Sequence, residues 1–511
     1  MKKLFNFIFN RMTMVVIAII AQISFLVVFV WKLNDYFIYM QGLFWVLSTL
    51  LVLKIINSRS NPIYKIAIII PILILPILGT LLYFVLGNNK PMKRFKERIM
   101  KEFMKISGLL AQDRKIIDEL EGLDKNIANQ SKYILNTSLF PIYKNTTTQY
   151  LSPGEVMFEK LKEELGKAKH YIFMEFFILE EGLMWDSILD ILVQKVGEGV
   201  EVRVMYDDVG SIYLLPSGFN QKLTGLGIQC VAFNPVSPVL SLRMNNRDHR
   251  KIVVIDGRVA FTGGINLADE YINAYRKYGH WKDSAIMIKG DAAWSFTVMF
   301  LHLWNATRPM DTDYTKYMVF NRDRLSCASD GYVQPYADMP LDEHLVAENI
   351  YLNIINKAKD YVYINTPYLI ADNEIVTALC LAAQNGVDVR IITPYYPDKW
   401  YIHPVTRSYY PQLIEAGVKI YEYTPGFMHA KTFVADDELA TVGSPNLDFR
   451  SLYLHFECGV WLYKSKAVSQ LKEDFLSTLK VCIQIQAENC VAVKWSTRFL
   501  QIILRIFSPL L

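Results

Sequence analysis

At 511 residues the chain is long enough for two or three units with complete cores, and with 52% hydrophobic residues its mean hydropathy of +0.17 is high for a wholly soluble protein. Its 54 basic and 50 acidic residues leave a net charge of only +4, which speaks against a chain-wide nucleic-acid-binding surface. The six cysteines are scattered without a C-x-x-C pair, so neither a disulfide framework nor a zinc site is expected, and no cofactor or metal is implied.

In chain order, three apolar segments come first. Met12 to Trp31 and Tyr36 to Leu53 are uncharged stretches of 20 and 18 residues, and Ile66 to Leu86 is a third, interrupted by Pro71, Pro76 and Gly79. All three have the length to cross a bilayer, and no small-residue cleavage site marks the first as a signal peptide. Residues 1–90 are therefore expected as a multi-pass membrane anchor. Residues 91–140 are expected as a basic juxtamembrane linker, with Lys90, Lys93, Arg94, Lys96, Arg98, Lys101 and Lys105 against Glu97 and Glu102. That flank predicts a cytoplasmic catalytic region, while Lys2, Lys3 and Arg11 predict a cytoplasmic N-terminus. Three spans cannot satisfy both, so either one segment is interfacial or re-entrant or one flank is overruled.

From about residue 141 the pattern changes to short β-branched and aromatic runs separated by helical stretches, the signature of α/β units. The chain then repeats itself. Tyr171-Ile-Phe-Met-Glu-Phe-Phe is echoed by Tyr361-Val-Tyr-Ile-Asn-Thr-Pro, Gly199-Val-Glu-Val-Arg-Val by Gly386-Val-Asp-Val-Arg-Ile, and Gly227-Ile-Gln-Cys by Gly417-Val-Lys-Ile. Two homologous α/β lobes are predicted, 141–320 and 321–511, related by a pseudo-twofold axis, with extra residues in the first lobe around Ser237 to Asn246.

Each lobe carries H-x-K-x4-D-x6-G-x2-N: His249, Lys251, Asp256, Gly263 and Asn266 in the first, His429, Lys431, Asp436, Gly443 and Asn446 in the second. A chance match in one chain is on the order of one in ten thousand at ordinary residue frequencies, and two at the same point of a repeat are far rarer. Histidine and lysine two apart share one face of an extended chain, so Arg250 and Ala430 point away from it. Two such pairs over one phosphate supply a nucleophile and a general acid, and the lysines with Asn266 and Asn446 can hold the non-bridging oxygens. Phosphodiester exchange then needs no metal. Asp256 and Asp436, five residues beyond each lysine, lie too far along the chain for the same phosphate and are expected to support the motif from a distance. His170, His302, His344 and His403 are expected in structural or surface roles.

The paired motifs resemble those of the phospholipase D superfamily. The run Asn246 to Tyr271, Pro425-Gly-Phe-Met-His-Ala-Lys and Thr441 to Leu452 narrow the resemblance to bacterial cardiolipin synthases. That resemblance implies two phospholipase D-type lobes behind membrane helices, a phosphohistidine route, and transfer of a phosphatidyl group between two phosphatidylglycerol molecules to give cardiolipin and glycerol. It also implies anionic membrane lipids as partners rather than nucleic acid. It assigns attack to His249 and acid/base work to His429, an assignment that the residues alone leave reversible. His280 and His455 depart from the family pattern, and Glu457 keeps to it.

Glu175, Tyr368, Arg407, Tyr410, Arg450 and Glu457 are candidate substrate contacts, Glu175 because it breaks an apolar strand. Trp495 to Leu511 reads as an amphipathic helix on the bilayer, or else as a closing core helix. The rival functions are a phospholipase D hydrolase, a phosphatidyltransferase to another alcohol, a membrane-tethered nuclease and a non-catalytic scaffold. A nuclease would need an open basic groove with stacking aromatics, and a scaffold should carry a degraded motif.

Overall fold

The computed structural model describes residues 37–510, apart from 59–60, 87–89, 107, 237–244, 320–328 and 492, together with residues 17, 20–24 and 27–28 ahead of them. The first lobe is built on β1 (Thr146–Leu151), β2 (Tyr171–Phe176), β3 (Glu201–Asp207), β4 (Gln229–Phe233), β5 (Ile252–Ile255), β6 (Val259–Gly263) and β7 (Ala285–Gly290). The second uses β8 (Tyr332–Asp338), β9 (Tyr361–Asn365), β10 (Asp388–Pro394), β11 (Lys419–Tyr423), β12 (Thr432–Ala435), β13 (Leu439–Gly443), β14 (His455–Tyr463) and β15 (Cys482–Ile485).

The two sheets have one design. Their orders are β1-β7-β6-β5-β2-β3-β4 and β8-β14-β13-β12-β9-β10-β11, and β15 adds a strand at the far edge of the second. Register is shared as well: Tyr171 pairs with Glu201 and Ile172 with Ile255, as Tyr361 pairs with Asp388 and Val362 with Ala435. This is the duplication that the echoed segments predict. The β2-β3-β4 and β9-β10-β11 runs are parallel, which requires crossover connections, and helices supply them. Helices on one face and the opposing sheet on the other leave β2, β5, β9 and β12 with every residue buried, hence their near-continuous apolar sequences.

Alternation decides which residue faces which layer. Tyr171 and Phe173 of β2 join the core between the sheets, whereas Ile172 and Met174 pack under the outer helices of the first lobe. A helix, Ala293–Thr307, fills the inner layer and is buried from Ala293 through Ala306. The segment 91–140, expected as a linker, is instead packed structure. Its helix Lys90–Ile106 lays Phe95, Ile99 and Ile106 into the inner core, and its backbone at Ile99 accepts a bond from His302 Nε2 at 3.0 Å.

Asp256 and Asp436 sit in left-handed turns, φ 52° and 51°, after β5 and β12. The Asp256 carboxylate accepts the backbone N–H groups of Lys169, His170 and Tyr171, each at 2.8 Å, where β2 begins. Asp436 does the same for Lys359, Asp360 and Tyr361 at 2.7, 3.0 and 2.9 Å, where β9 begins. Expected as distant supports of the motif, both hold the start of a neighbouring strand through its backbone N–H groups.

In the N-terminal region, α1 (Phe37–Ile56) precedes α2 (Pro62–Ile74) and α3 (Pro76–Leu86). The predicted segment Met12–Trp31 lies mostly outside the described residues. Among the described residues no helix is long and apolar enough to cross a membrane, the described side chains of α1 beginning at residue 42. The third predicted segment is not one helix. Leu75, at φ −129° and ψ 74°, breaks it ahead of Pro76, and the chain folds back so tightly that a Cβ on Gly79 would lie 2.6 Å from the Pro71 carbonyl oxygen. The start of α2 docks on the second lobe: Asn61 Nδ2 donates to Tyr453 Oη at 2.9 Å, and the Tyr64 ring meets Phe449 and Tyr453 edge-on.

Two further helices matter below, α4 (Ile402–Ser408) and α5 (Trp495–Ile506), which lie against each other. The Arg505 guanidinium of α5 stands 4.4 Å from the Tyr409 ring centroid.

Replacing Asp256 or Asp436 by alanine strands three N–H groups, partly exposed to water, and is expected to cost about 1–3 kcal/mol. A thermal melt in neutral detergent should show a lowered apparent Tm, while turnover per folded molecule changes less than a few-fold. Unchanged melting with lost turnover would return these residues to the chemistry.

Candidate active site

Each motif histidine follows a short stretch that pairs with the other lobe. Arg247–Asp248 lies parallel to His455–Phe456, and His249 N–H then donates to the Phe456 carbonyl at 3.0 Å. Gly426–Met428 lies parallel to His280–Lys282, and His429 N–H donates to the Lys282 carbonyl at 2.7 Å. The next residue on each partner strand is a carboxylate. Glu457 Oε1 sits 2.8 Å from His249 Nδ1, and Asp283 Oδ2 sits 2.6 Å from His429 Nδ1.

The exchange is reciprocal: each lobe supplies one imidazole and the carboxylate that orients the other lobe's imidazole. A carboxylate at Nδ1 accepts a hydrogen bond from Nδ1–H, which fixes the tautomer and leaves the Nε2 lone pair for chemistry. Glu457 is itself fixed by the Ser444 hydroxyl, which donates to Oε2.

His249 and His429 open into one cavity of about 740 Å³. Asn266, Asn446, Tyr368 and Arg450, the expected phosphate or substrate contacts, line it too. Asn266 is held on both sides, accepting Ile178 N–H at 3.0 Å and donating to Tyr271 Oη at 2.8 Å. The Asn446 amide oxygen is buried and meets no hydrogen-bond partner among the described residues, and Tyr368 Oη donates to Asp398 at 2.5 Å.

Lys251 and Lys431 lie one layer behind the wall, each buried, with Nζ donating to the carbonyl of its own motif histidine at 2.5 Å. Burial lowers both ammonium groups, Lys251 to about 8 and Lys431 to about 7. It also lowers His429 to about 4, aided by Lys431 and opposed by Asp283, and pushes His249 well below its ordinary value against the pull of Glu457. Both imidazoles are therefore neutral in the empty cavity near pH 7. Burial would raise the Glu457 carboxyl, but the attraction and hydrogen bonds of His249 and His455 hold it below its ordinary range.

Four expected contacts fall elsewhere. Glu175 does not reach the cavity: it is fully buried beside Arg250, 2.6 Å from Nε, on the face turned away from the motif. Glu457 bonds the nucleophile candidate rather than lining the wall. Arg407 and Tyr410 both bond Glu422 on the far side of α4.

Sequence reasoning missed Asp283 and Arg247. Asp283 ends the Gly279-x-Trp-x-Asp stretch, and only the cross-lobe pairing reveals its role. Arg247 lines the cavity with both Asp207 oxygens 3.0 Å from its Nε, and burial raises the Asp207 carboxyl to about 6.

Among the described residues, the side chains with metal-ligating geometry are His249, His455 and Glu457, whose ligand atoms lie within 4.8 Å of one another. A cation there would occupy the nucleophile candidate and its orienting carboxylate, so it would compete with the chemistry.

The family model described as "Cardiolipin synthase, PLD-like domain" matches residues 161–304 and 351–479, and one described as "Phospholipase_D-nuclease N-terminal" matches residues 44–88. A cardiolipin synthase of Halalkalibacterium halodurans is 34% identical over 92% of this chain and 94% of its own length. An uncharacterized protein of Streptococcus mutans is 44% identical over 90% of this chain and 99% of its own. The crystal structure of a phosphatidylserine synthase from Haemophilus influenzae superposes with a TM-score of 0.55 at 15% identity, covering 75% of this chain and 97% of that one, a likeness of fold.

Glu457→Gln and Asp283→Asn keep the size of each side chain but remove the charge that fixes the imidazole tautomer. Each is expected to lower kcat by about 10²–10⁴-fold with little change in melting temperature. A loss below ten-fold in a steady-state lipid assay would show that the carboxylates do not act through the histidines.

Proposed function

The chain belongs to the cardiolipin synthase family of phospholipase D-like proteins, and we propose that it joins two phosphatidylglycerol molecules through a covalent intermediate on His249. The observation that carries this reading is the pair of imidazoles in one cavity, each with its Nδ1 held by a carboxylate from the opposite lobe.

His249 Nε2 attacks the phosphorus of the first phosphatidylglycerol, a P–N bond forms, and the P–O bond to the headgroup glycerol breaks. His429, protonated as the anionic phosphodiester enters, gives its Nε2 proton to the departing glycerol oxygen. The free glycerol hydroxyl of a second phosphatidylglycerol then loses its proton to His429, and its oxygen displaces His249 from phosphorus. Cardiolipin, glycerol and the starting enzyme result, with one phosphodiester exchanged for another and no nucleotide consumed. Lys251 and Lys431, released from their carbonyl bonds, with Asn266 and Asn446, counter the charge on the non-bridging oxygens. The unpartnered Asn446 oxygen suits a substrate hydroxyl, and Arg247 and Arg450 add positive charge to the wall.

The membrane anchor fits the same reading. In our proposal Met12–Trp31 and Tyr36–Leu53 cross the bilayer, while α2 and α3 form a re-entrant hairpin. At 13 residues α2 reaches only about 20 Å, short of a hydrocarbon core of about 30 Å. Both ends of the hairpin belong on the catalytic side: Asn61 and Tyr64 bond the second lobe, and Lys90–Ile106, four residues after α3, packs on the helix Ala293–Thr307. Two spans and a hairpin bring both basic flanks to the cytoplasmic face.

Purified protein incubated with phosphatidylglycerol alone should yield cardiolipin and equimolar glycerol by mass spectrometry. Phosphatidic acid instead would mean that water is the acceptor, and cleaved DNA would mean a nuclease. With ³²P-phosphatidylglycerol, an acid-labile, alkali-stable protein label should persist in His429→Ala and vanish in His249→Ala, and the opposite pattern would exchange the two roles. Single cysteines at Ser58 and Asn88 should react with a membrane-impermeant maleimide from the same, cytoplasmic side; opposite-side labelling would make the hairpin a true span.

A further inference from the structure

A second cavity of about 750 Å³, as large as the catalytic one, lies between α4 and α5. The two share no lining residue: Ile402 at the start of α4 faces the catalytic cavity, whereas His403 and Arg407 face the second. Its size is that of a ligand site rather than a packing defect.

The sequence of α5 divides the helix into three faces. Leu504 packs toward the second lobe's core. Trp495, Phe499, Ile502, Ile503 and Ile506 recur at helical spacing on a face exposed to between 38% and 78%, and no residue of the helix is fully buried. Between these faces runs an edge of Lys494, Arg498 and Arg505, and that edge lines the cavity. The cavity's carboxylate, Glu422, is fully buried and already bonded by Arg407 at 2.8 and 2.6 Å and by Tyr410 at 3.2 Å. Among the described residues Lys494 and Arg498 meet no carboxylate, so the wall carries uncompensated positive charge. Ile483, Ile485 and Ile502 give the same cavity an apolar side.

A wall that is cationic at one edge and apolar at the other, beneath a helix with an outward apolar face, matches an amphiphile with an anionic head. We propose that this cavity binds the phosphodiester headgroup of one anionic glycerophospholipid that is not being transferred. The phosphate sits against Lys494 and Arg498, and the acyl chains leave past Ile502 into the bilayer. The site rests on α5 facing the membrane and not on the transfer chemistry. Because α4 separates the two cavities, its occupant braces the wall that carries Tyr401 and Ile402 into the catalytic one.

The test uses the full chain carrying His249→Ala and His429→Ala, so that lipid is bound but not consumed. Delipidated protein in neutral detergent is re-exposed to dioleoylphosphatidylglycerol, and retained lipids are counted by native mass spectrometry. Adding Lys494→Gln and Arg498→Gln should remove one retained phosphatidylglycerol and leave the melting curve unchanged, while the conservative Lys494→Arg and Arg498→Lys pair keeps it. Dioleoylphosphatidylcholine should not be retained there, and millimolar glycerol 3-phosphate should not displace the lipid. An unchanged lipid count in the glutamine variant, equal retention of phosphatidylcholine, or displacement by glycerol 3-phosphate would each overturn the proposal.

Discussion

Everything in the catalytic cavity depends on two hydrogen bonds that cross between the lobes. An imidazole is a far better nucleophile or acid when its other nitrogen is fixed, and neither lobe fixes its own. Glu457 reaches His249 from the second lobe, and Asp283 reaches His429 from the first. The cross-lobe pairings of Arg247–Asp248 and Gly426–Met428 set the positions of those bonds to within a residue. The shared inner core, with the helix Ala293–Thr307 inside it, prevents the lobes from sliding relative to each other. Docking of the lobes and assembly of the two imidazole–carboxylate pairs are thus one structural event.

The electrostatics follow from the same burial. Two imidazoles at the cavity wall and two ammonium groups just behind it are buried, which disfavours their charged forms and leaves both histidines neutral in the empty cavity. A phosphodiester supplies the missing negative charge. In the proposed mechanism His429 gains its proton only as the lipid phosphate arrives, which suits transfer of a phosphatidyl group to an alcohol.

Much of this was legible in the chain. The echoed segments specified the duplicated sheets, and the spacing of His249 and Lys251 placed Arg250 on the opposite face, where it meets Glu175. Asp256 and Asp436 were legible as distant supports by strand length alone, although not as caps of β2 and β9. What escaped sequence reading was long-range partnership. Asp283 looks like any acid after a tryptophan, and Glu457 looks like a substrate ligand, because only the docked lobes bring them to a histidine 146 or 208 positions away. Glu175 misled for the complementary reason: a charge in an apolar strand signals burial with a partner as readily as contact with substrate. The third apolar segment misled by length, since hydropathy registers composition and the break at Leu75 depends on how Pro76 and Gly79 let the chain turn back.

The 208 positions between His249 and Glu457 also set a delay during synthesis. A ribosome adding roughly 5–20 residues per second needs on the order of 10–40 seconds to travel that far. Throughout that interval the first lobe has its histidine but not yet the carboxylate that orients it. Splitting each imidazole from its partner therefore acts as a timer. The nascent first lobe lacks the carboxylate that orients its imidazole, and the pair is complete only after Glu457 has been added.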